Sequence, residues 1–371
     1  MSYTNSLQSL AVMARACAPT KTVTDQKMLR RFSTWEISNF MFHLPADTLR
    51  KKLLEDPSLP QGLIQADGRQ RWFTLAEVNE LRRRLRFRKH KLVPIRAAGR
   101  AQHIAFLGTR REIGTTTLVQ HMAHATALAG FRVLLIDLTA NATLSQMHGT
   151  TGNMHDLLVW DFARETDPSA ELGASKIVQA THWPNIDIVA ADPKSPMTDR
   201  EFLRLYTSNP DWDPTDAVVQ LLGEQTMQAY DFVLMDCASD LGIVSWNGLT
   251  AATQLNIVNG PAASDFAHLS QCLDALTREA LSFSNIQIIT TRFDPLDPCH
   301  ATAKAKALST FGTHINQPPV HDVSAINSLH PAAASVYEQD YRTSTRADWE
   351  VARTSFDQAF AQMSFRADQM A

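Results

Sequence analysis

Residues His103 to Ser145 read HIAFLGTRREIGTTTLVQHMAHATALAGFRVLLIDLTANATLS, and this stretch decides the fold. The apolar run Ile104 to Leu107 predicts a buried strand, followed by a loop with Gly108 and Gly114. From about Thr116 a period of 3.6 predicts a helix that stops at Gly130, and a second apolar run, Val133 to Ile136, ends at Asp137. Strand, loop, helix and strand make a βαβ unit. A loop of this kind after the first strand is where such units seat a phosphate.

A working loop reads G-x-x-x-x-G-K-[ST]: its backbone N–H groups close around the phosphates, its lysine neutralises them and its hydroxyl holds Mg²⁺. This loop keeps Gly114, Thr116 and Thr117, but Thr115 stands where the lysine belongs. A hydroxyl cannot supply that charge.

RREIGTTT, residues 110–117, resembles the deviant phosphate loop KGGxGKTT of the ParA and MinD-type partition ATPases. The resemblance puts Arg110 at the signature lysine, which in the family reaches across a dimer to the partner's nucleotide; the sign is kept and the shape is not. Arg111 and Glu112 replace the two glycines. The family's DxDPQ becomes Asp137, Leu138, Thr139, Ala140, Asn141, so Thr139 stands at the aspartate that orients the attacking water. Asp236, at the end of the apolar run in YDFVLMDCASDLG, falls at the Walker B aspartate that helps hold Mg²⁺. The residual nucleotide set implied is Arg110, Gly114, Thr115, Thr116, Thr117, Asp137 and Asp236, with Thr116 and Asp236 for a metal and no working catalytic residue.

A charge-assisted hydrogen bond contributes roughly 1.5 to 3 kcal/mol, against about 8 kcal/mol for a micromolar site. Losing the lysine and gaining Glu112 therefore removes much of an ATP site. The expectation is that ATP and Mg²⁺, the family's cofactors, bind weakly or not at all and are not turned over. The alternative is an active ATPase in which Arg110 or Arg111 substitutes for the lysine.

The net charge of −3 hides an asymmetry: residues 1–100 carry 19 Lys and Arg against 8 Asp and Glu, leaving 16 against 30 for the rest. The front of the chain is thus the candidate for binding a polyanion. With 44% hydrophobic and 20% charged residues the 371-residue composition is that of a globular protein with room for two domains. No apolar run approaches the roughly 20 residues of a membrane span and no signal segment opens the chain, so the expected location is cytoplasmic, without membrane contact. Cys17, Cys237, Cys272 and Cys299 lack metal-ligand spacing, and the histidines form no ligand pair.

Within the front 100 residues, Ser33 and Glu36 form a capping box opening a helix over Trp35 to Phe42. A turn at His43-Leu44-Pro45 leads to a second helix, Ala46 to Glu55. Gly62 to Phe73 reads as a hairpin turning at Asp67-Gly68, and a second capping box, Thr74 with Glu77, opens a helix that ends in Arg82, Arg83, Arg84, Arg86 and Arg88. This order predicts a winged helix-turn-helix over residues 32–88, with a 1–31 arm before it, a basic linker 89–101 after it and the α/β domain, 102–371, beyond. Thr48, Arg50, Lys51 and Lys52 on the second helix, Arg69 and Arg71 by the hairpin tip, and Arg83 and Arg84 are the candidate contacts to double-stranded DNA. FSTWEI, TLRKKL, LPQG and RQRWFTLAEV also resemble the front domain of RepA partition proteins from repABC-type plasmids, and SAINSLHPAAASVYEQD, residues 324–340, resembles the tail of the same family. That family binds its own promoter region and segregates a plasmid with a protein bound at a centromere-like site.

Further strand candidates are Asn185 to Ala190, Gln254 to Asn259 and Ile286 to Thr291, with helices over Asp216 to Gln228, near Ala267 to Ser282 and from Ala347. Such alternation predicts an α/β fold with a parallel sheet covered by helices on both faces. The reading overall is a dimeric DNA-binding protein of partition or autoregulation, its nucleotide site inactive. The remaining alternative is an antagonist that pairs with an intact ParA or RepA homologue.

Overall fold

The computed structural model describes residues 27–64, 70–85, 101–150, 177–191, 199–209, 211–213, 215–223, 228–279, 281–322, 333–340 and 346–369, with isolated positions between them. The hairpin tip with Arg69, the basic stretch 86–100 and, save Met13, the arm before Lys27 lie outside the described residues.

Both capping boxes form. Ser33 Oγ accepts from Glu36 N at 3.2 Å while Ser33 N donates back to Glu36 Oε2 at 3.0 Å, and Thr74 and Glu77 exchange the same pair at 3.2 and 2.7 Å. After β1 (Phe32–Ser33), the helix predicted over 35–42 is one α turn, α1 (Thr34–Glu36), widening into a π-helical segment, Ile37–Met41. Phe42 N accordingly donates to Ile37 O, five residues back. The extra residue per turn lets Ile37, Met41 and Phe42 all point into the core. Helix α2 (Ala46–Glu55) buries Leu49 and Leu53, one turn apart, and turns its charges outward. Strands β2 (Leu63–Ile64) and β3 (Arg71–Phe73) pair antiparallel, with β1 on the far side of β3. Helix α3 (Leu75–Arg84) follows.

The second sheet has seven strands. These are β4 (Gln102–Gly108), β5 (Val133–Leu138), β6 (Gln179–Ala180), β7 (Ile186–Val189), β8 (Phe232–Cys237), β9 (Gln254–Asn259) and β10 (Asn285–Thr290). Their order is β10-β9-β4-β8-β5-β7-β6. All pairings are parallel except the last, where the two-residue β6 turns back on β7, so the sheet is mostly rather than wholly parallel.

Alternation along the strands feeds two cores. Ile104, Phe106, Val133, Leu135 and Leu234 face one side; Ala105, Leu107, Leu134, Ile136 and Val233 face the other. The first side is covered by α4 (Thr115–Leu128), buried at every residue from Leu118 to Leu128. The chain continues through α5 (Thr143–Met147), α6 (Asp199–Ser208), α7 (Ala217–Gly223), α8 (Ile243–Ala251), α9 (Asp265–Leu276), α10 (Pro298–Phe311) and the closing α11 (Arg346–Gln369). Residues of α7, α8 and α9 cover the second side, and Phe356 of α11 joins the first.

The first core also contains Phe32, Leu49, Phe73 and Leu81, so the front residues and the large sheet share one apolar interior. Arg82 crosses that seam: it is 3% exposed, donates to Leu128 O at the end of α4 and to Asn79 Oδ1, and lies over the Phe42 ring. Gly130 lets it in. A Cβ there would stand 2.7 Å from Arg82 Nη1. On the same seam Lys27 donates to Met147 O and Ala333 O, and Arg30 to Tyr337 O. Arg353 of α11 stacks its guanidinium over Phe40, 4.1 Å from the ring centroid.

Candidate functional site

The loop predicted from the sequence sits at the carboxyl ends of β4, β5 and β8 and lines a cleft of about 650 Å³. Gly114 takes φ +94 and opens α4 with no side-chain cap, so the first-turn N–H groups of that helix have no partner within it. Glu112, at a glycine position of the resembled motif, also takes a left-handed φ of +59, which an L side chain adopts at a cost. The loop's outer carbonyls are held by the residues after β10: Thr291 Oγ1 donates to Ile113 O at 2.7 Å and Arg292 Nη1 to Glu112 O at 3.0 Å.

The cation at the signature position is turned away. Arg110 Nε donates to Asp265 Oδ1 at 2.8 Å, an ion pair within the chain on a carboxylate only 4% exposed. Thr115 tucks its hydroxyl beneath the loop, 2.5 Å from where a Cβ on Gly108 would stand. Thr139 is also engaged, donating through N and Oγ1 to Asp137 Oδ1 at 3.1 and 2.6 Å. Asp137 Oδ2 accepts from Ser145 N and Oγ, so both of its oxygens are satisfied.

Asp236 is the exception. It stands opposite Asp137 in register on the neighbouring strand, fully buried, and neither oxygen accepts a hydrogen bond of normal geometry from the described residues. Burial first and the Asp137 carboxylate second push it well above the ordinary carboxylate range, and only the Thr116 hydroxyl beside it lowers it. Burial likewise raises Asp137, against its bonds to Thr139 and Ser145. An orphaned acid beside a threonine hydroxyl suits a hard divalent cation. Thr116 and Asp236 are the residues that would hold Mg²⁺, whose chemistry would be to neutralise phosphate charge. Sequence reading singled out both; it missed Ser145, and it missed Asp265, Thr291 and Arg292, whose partners in the loop lie more than 150 residues away along the chain.

The front residues divide. Arg50 and Lys51 are exposed on α2 and Thr48 and Lys52 half-exposed, with ion pairs to Asp47 and Glu55 on the same helix. Arg83 is exposed and pairs with Glu80. Arg84 donates to Ser58 O and Oγ just beyond α2, drawing the end of α3 to that surface. Arg71 is different: half-buried, it donates to Gln61 O at 2.9 Å and Gln61 Oε1 at 2.6 Å, which fixes the start of the hairpin.

A domain family described as "AAA domain" matches residues 101–278. The chain is 27% identical over 361 residues to the "Putative replication protein A" of Sinorhizobium fredii, covering 91% of this chain and 86% of that one. It is 23% identical over 296 residues to the protein SopA of Escherichia coli K12, covering 74% and 72%. Among solved structures, one titled partition protein superposes with a TM-score of 0.62 at 15% identity over 98% of this chain and 99% of that one. The septum site-determining protein MinD of Pyrococcus horikoshii gives 0.52 at 17% identity over 73% and 99%. No helix of the described residues is long and apolar enough to cross a membrane. With the loop at the strand ends, the two strand-end aspartates and these likenesses together, residues 101–278 form a ParA-like P-loop domain, and the chain is similar to the ParA and MinD-type P-loop proteins.

Proposed function

We propose that the protein is a ParA-type, DNA-binding factor of plasmid or chromosome partition and autoregulation, acting as a dimer without an ATP cycle. The names of two similar proteins, the putative replication protein A of Sinorhizobium fredii and the chromosome-partitioning ATPase Soj of Treponema pallidum, support a role at the replicon. The reading divides the chain into an arm (1–31), a winged helix-turn-helix (32–88), a basic linker (89–101) and the P-loop domain (102–371). It works with DNA and with a centromere-bound partner or an intact homologue, in the cytoplasm on nucleoid or plasmid.

The observation that carries the proposal is the state of the three groups hydrolysis needs. Thr115 replaces the lysine, Arg110 is pinned to Asp265 rather than free to cross to a partner, and Thr139 is spent on Asp137. The exposed cations of α2, with Arg84 drawn to the same surface, support DNA contact. Magnesium-dependent phosphate release from ATP tests the first half, the expected rate being that of buffer alone. Salt-dependent retardation of duplex DNA by the full chain tests the second. Arg50→Ala or Lys51→Ala should weaken binding across sequences and lower the salt slope by about 1 each, and unchanged affinity in both would remove α2 from the interface.

A further inference from the structure

We infer that the cleft takes a magnesium–nucleoside diphosphate at least as tightly as the corresponding triphosphate, so that it no longer senses the third phosphate. This rests on the reading of the cleft as a nucleotide site that does not hydrolyse. The losses and retentions in this loop are not scattered, and they sort by which phosphate they would serve.

Backbone N–H groups of such a loop cradle the inner phosphates, and the threonine hydroxyl and strand-end aspartate hold the metal. These parts are intact. Gly114 keeps its left-handed turn, α4 presents the open N-terminus of a fourteen-residue helix, and Thr291 and Arg292 hold the Ile113 and Glu112 carbonyls. An independent sign of a ligand stands beside them: Asp236 is fully buried, lines the cleft next to Thr116 and has both oxygens unpartnered among the described residues. A fully buried acid left this way has two oxygens open to a cation.

The parts that would meet the outer phosphate are the ones missing. The lysine that reaches the outer phosphates is Thr115, with its hydroxyl turned under Gly108. Arg110, which could replace it in charge, is held by Asp265. Thr139 is bonded to Asp137 and has no charge to offer. The cleft instead adds the exposed carboxylates of Glu112 and Asp240 to its lining. A third phosphate brings more negative charge to a place where these acids offset the exposed Arg111 and Arg292 of the lining, so it gains little over the second.

Isothermal titration of the full chain with ADP and with ATP, each in magnesium and in EDTA, tests this. The expected result is a dissociation constant for ADP equal to or below that for ATP, weakened at least tenfold by EDTA and by Asp236→Asn. Thr115→Lys should shift the ratio of the two constants at least tenfold towards ATP, and it keeps the test informative if Asp236→Asn misfolds. ATP binding tenfold or more tighter than ADP overturns the inference, and accompanying phosphate release would overturn the proposed function as well. Absence of binding by either nucleotide overturns the inference alone and leaves a cleft without turnover standing.

Discussion

At the seam between the front residues and the large sheet, Arg82 is buried and meets the Leu128 carbonyl, Asn79 and the face of Phe42. In the cleft Asp236 is buried at least as deeply and, among the described residues, lies beside the Thr116 hydroxyl and a second acid with neither oxygen in a hydrogen bond of normal geometry. The seam satisfies its charge with its own groups, whereas the cleft leaves one unsatisfied. Burying an ion costs several kcal/mol whichever region does it, so the difference shows what each region is for. Arg82 is a fastening, and Asp236 waits for something from outside the chain.

The largest expected effect is at the fastening. Arg82→Ala leaves a carbonyl and an amide without partners and empties a packed volume, and it should cost about 3 kcal/mol; urea denaturation measures it, and a loss under about 1 kcal/mol would mean the seam does not depend on this residue. Next comes acid. Burial lowers His148, on the seam beside Lys27 and Glu338, to about 4, and His124 in the same direction. The unfolded chain therefore takes up protons between pH 6.5 and 4 that the folded chain refuses. Stability should fall by about 2 to 3 kcal/mol as pH drops through that window, and flat urea midpoints across it would contradict the burial. The smallest effect has the opposite sign. Asp236→Asn removes a buried carboxylate that faces Asp137, and it should raise ligand-free stability by about 1 kcal/mol. A decrease in melting temperature would show that the acid is compensated after all.

The α/β domain is legible because β4, β5 and β8 carry continuous apolar runs, with α4 between the first two, and β9 and β10 are short aliphatic stretches interrupted by single amides. Helix α8 left no such trace: IVSWNGLTA packs both apolar and polar residues inside, so it has no amphipathic period to read. Helix α10 does carry a local signal, since Asp297 caps Cys299 N and Pro298 occupies its first position. Arg82 reads as one of a basic run, although Leu75, Val78 and Leu85 put it on the buried stripe of α3. The pairing of Arg110 with Asp265 spans 155 residues and follows only from bringing α9 beside the loop. Composition in the loop announced what was absent; where the remaining side chains went depended on contacts that no local pattern encodes.

Ser335 to Glu338 lies where the two ends of the chain meet. His124 and His121 of α4 reach it at Ser335 Oγ and Val336 N, Lys27 and Arg30 reach it from the front, and Trp349 of α11 donates to the Val336 carbonyl. Grafting the basic front of this protein onto a relative therefore cannot be done as a simple exchange of amino-terminal segments. The transplant has to carry this short tail stretch with it, or the new head will sit on a socket cut for another.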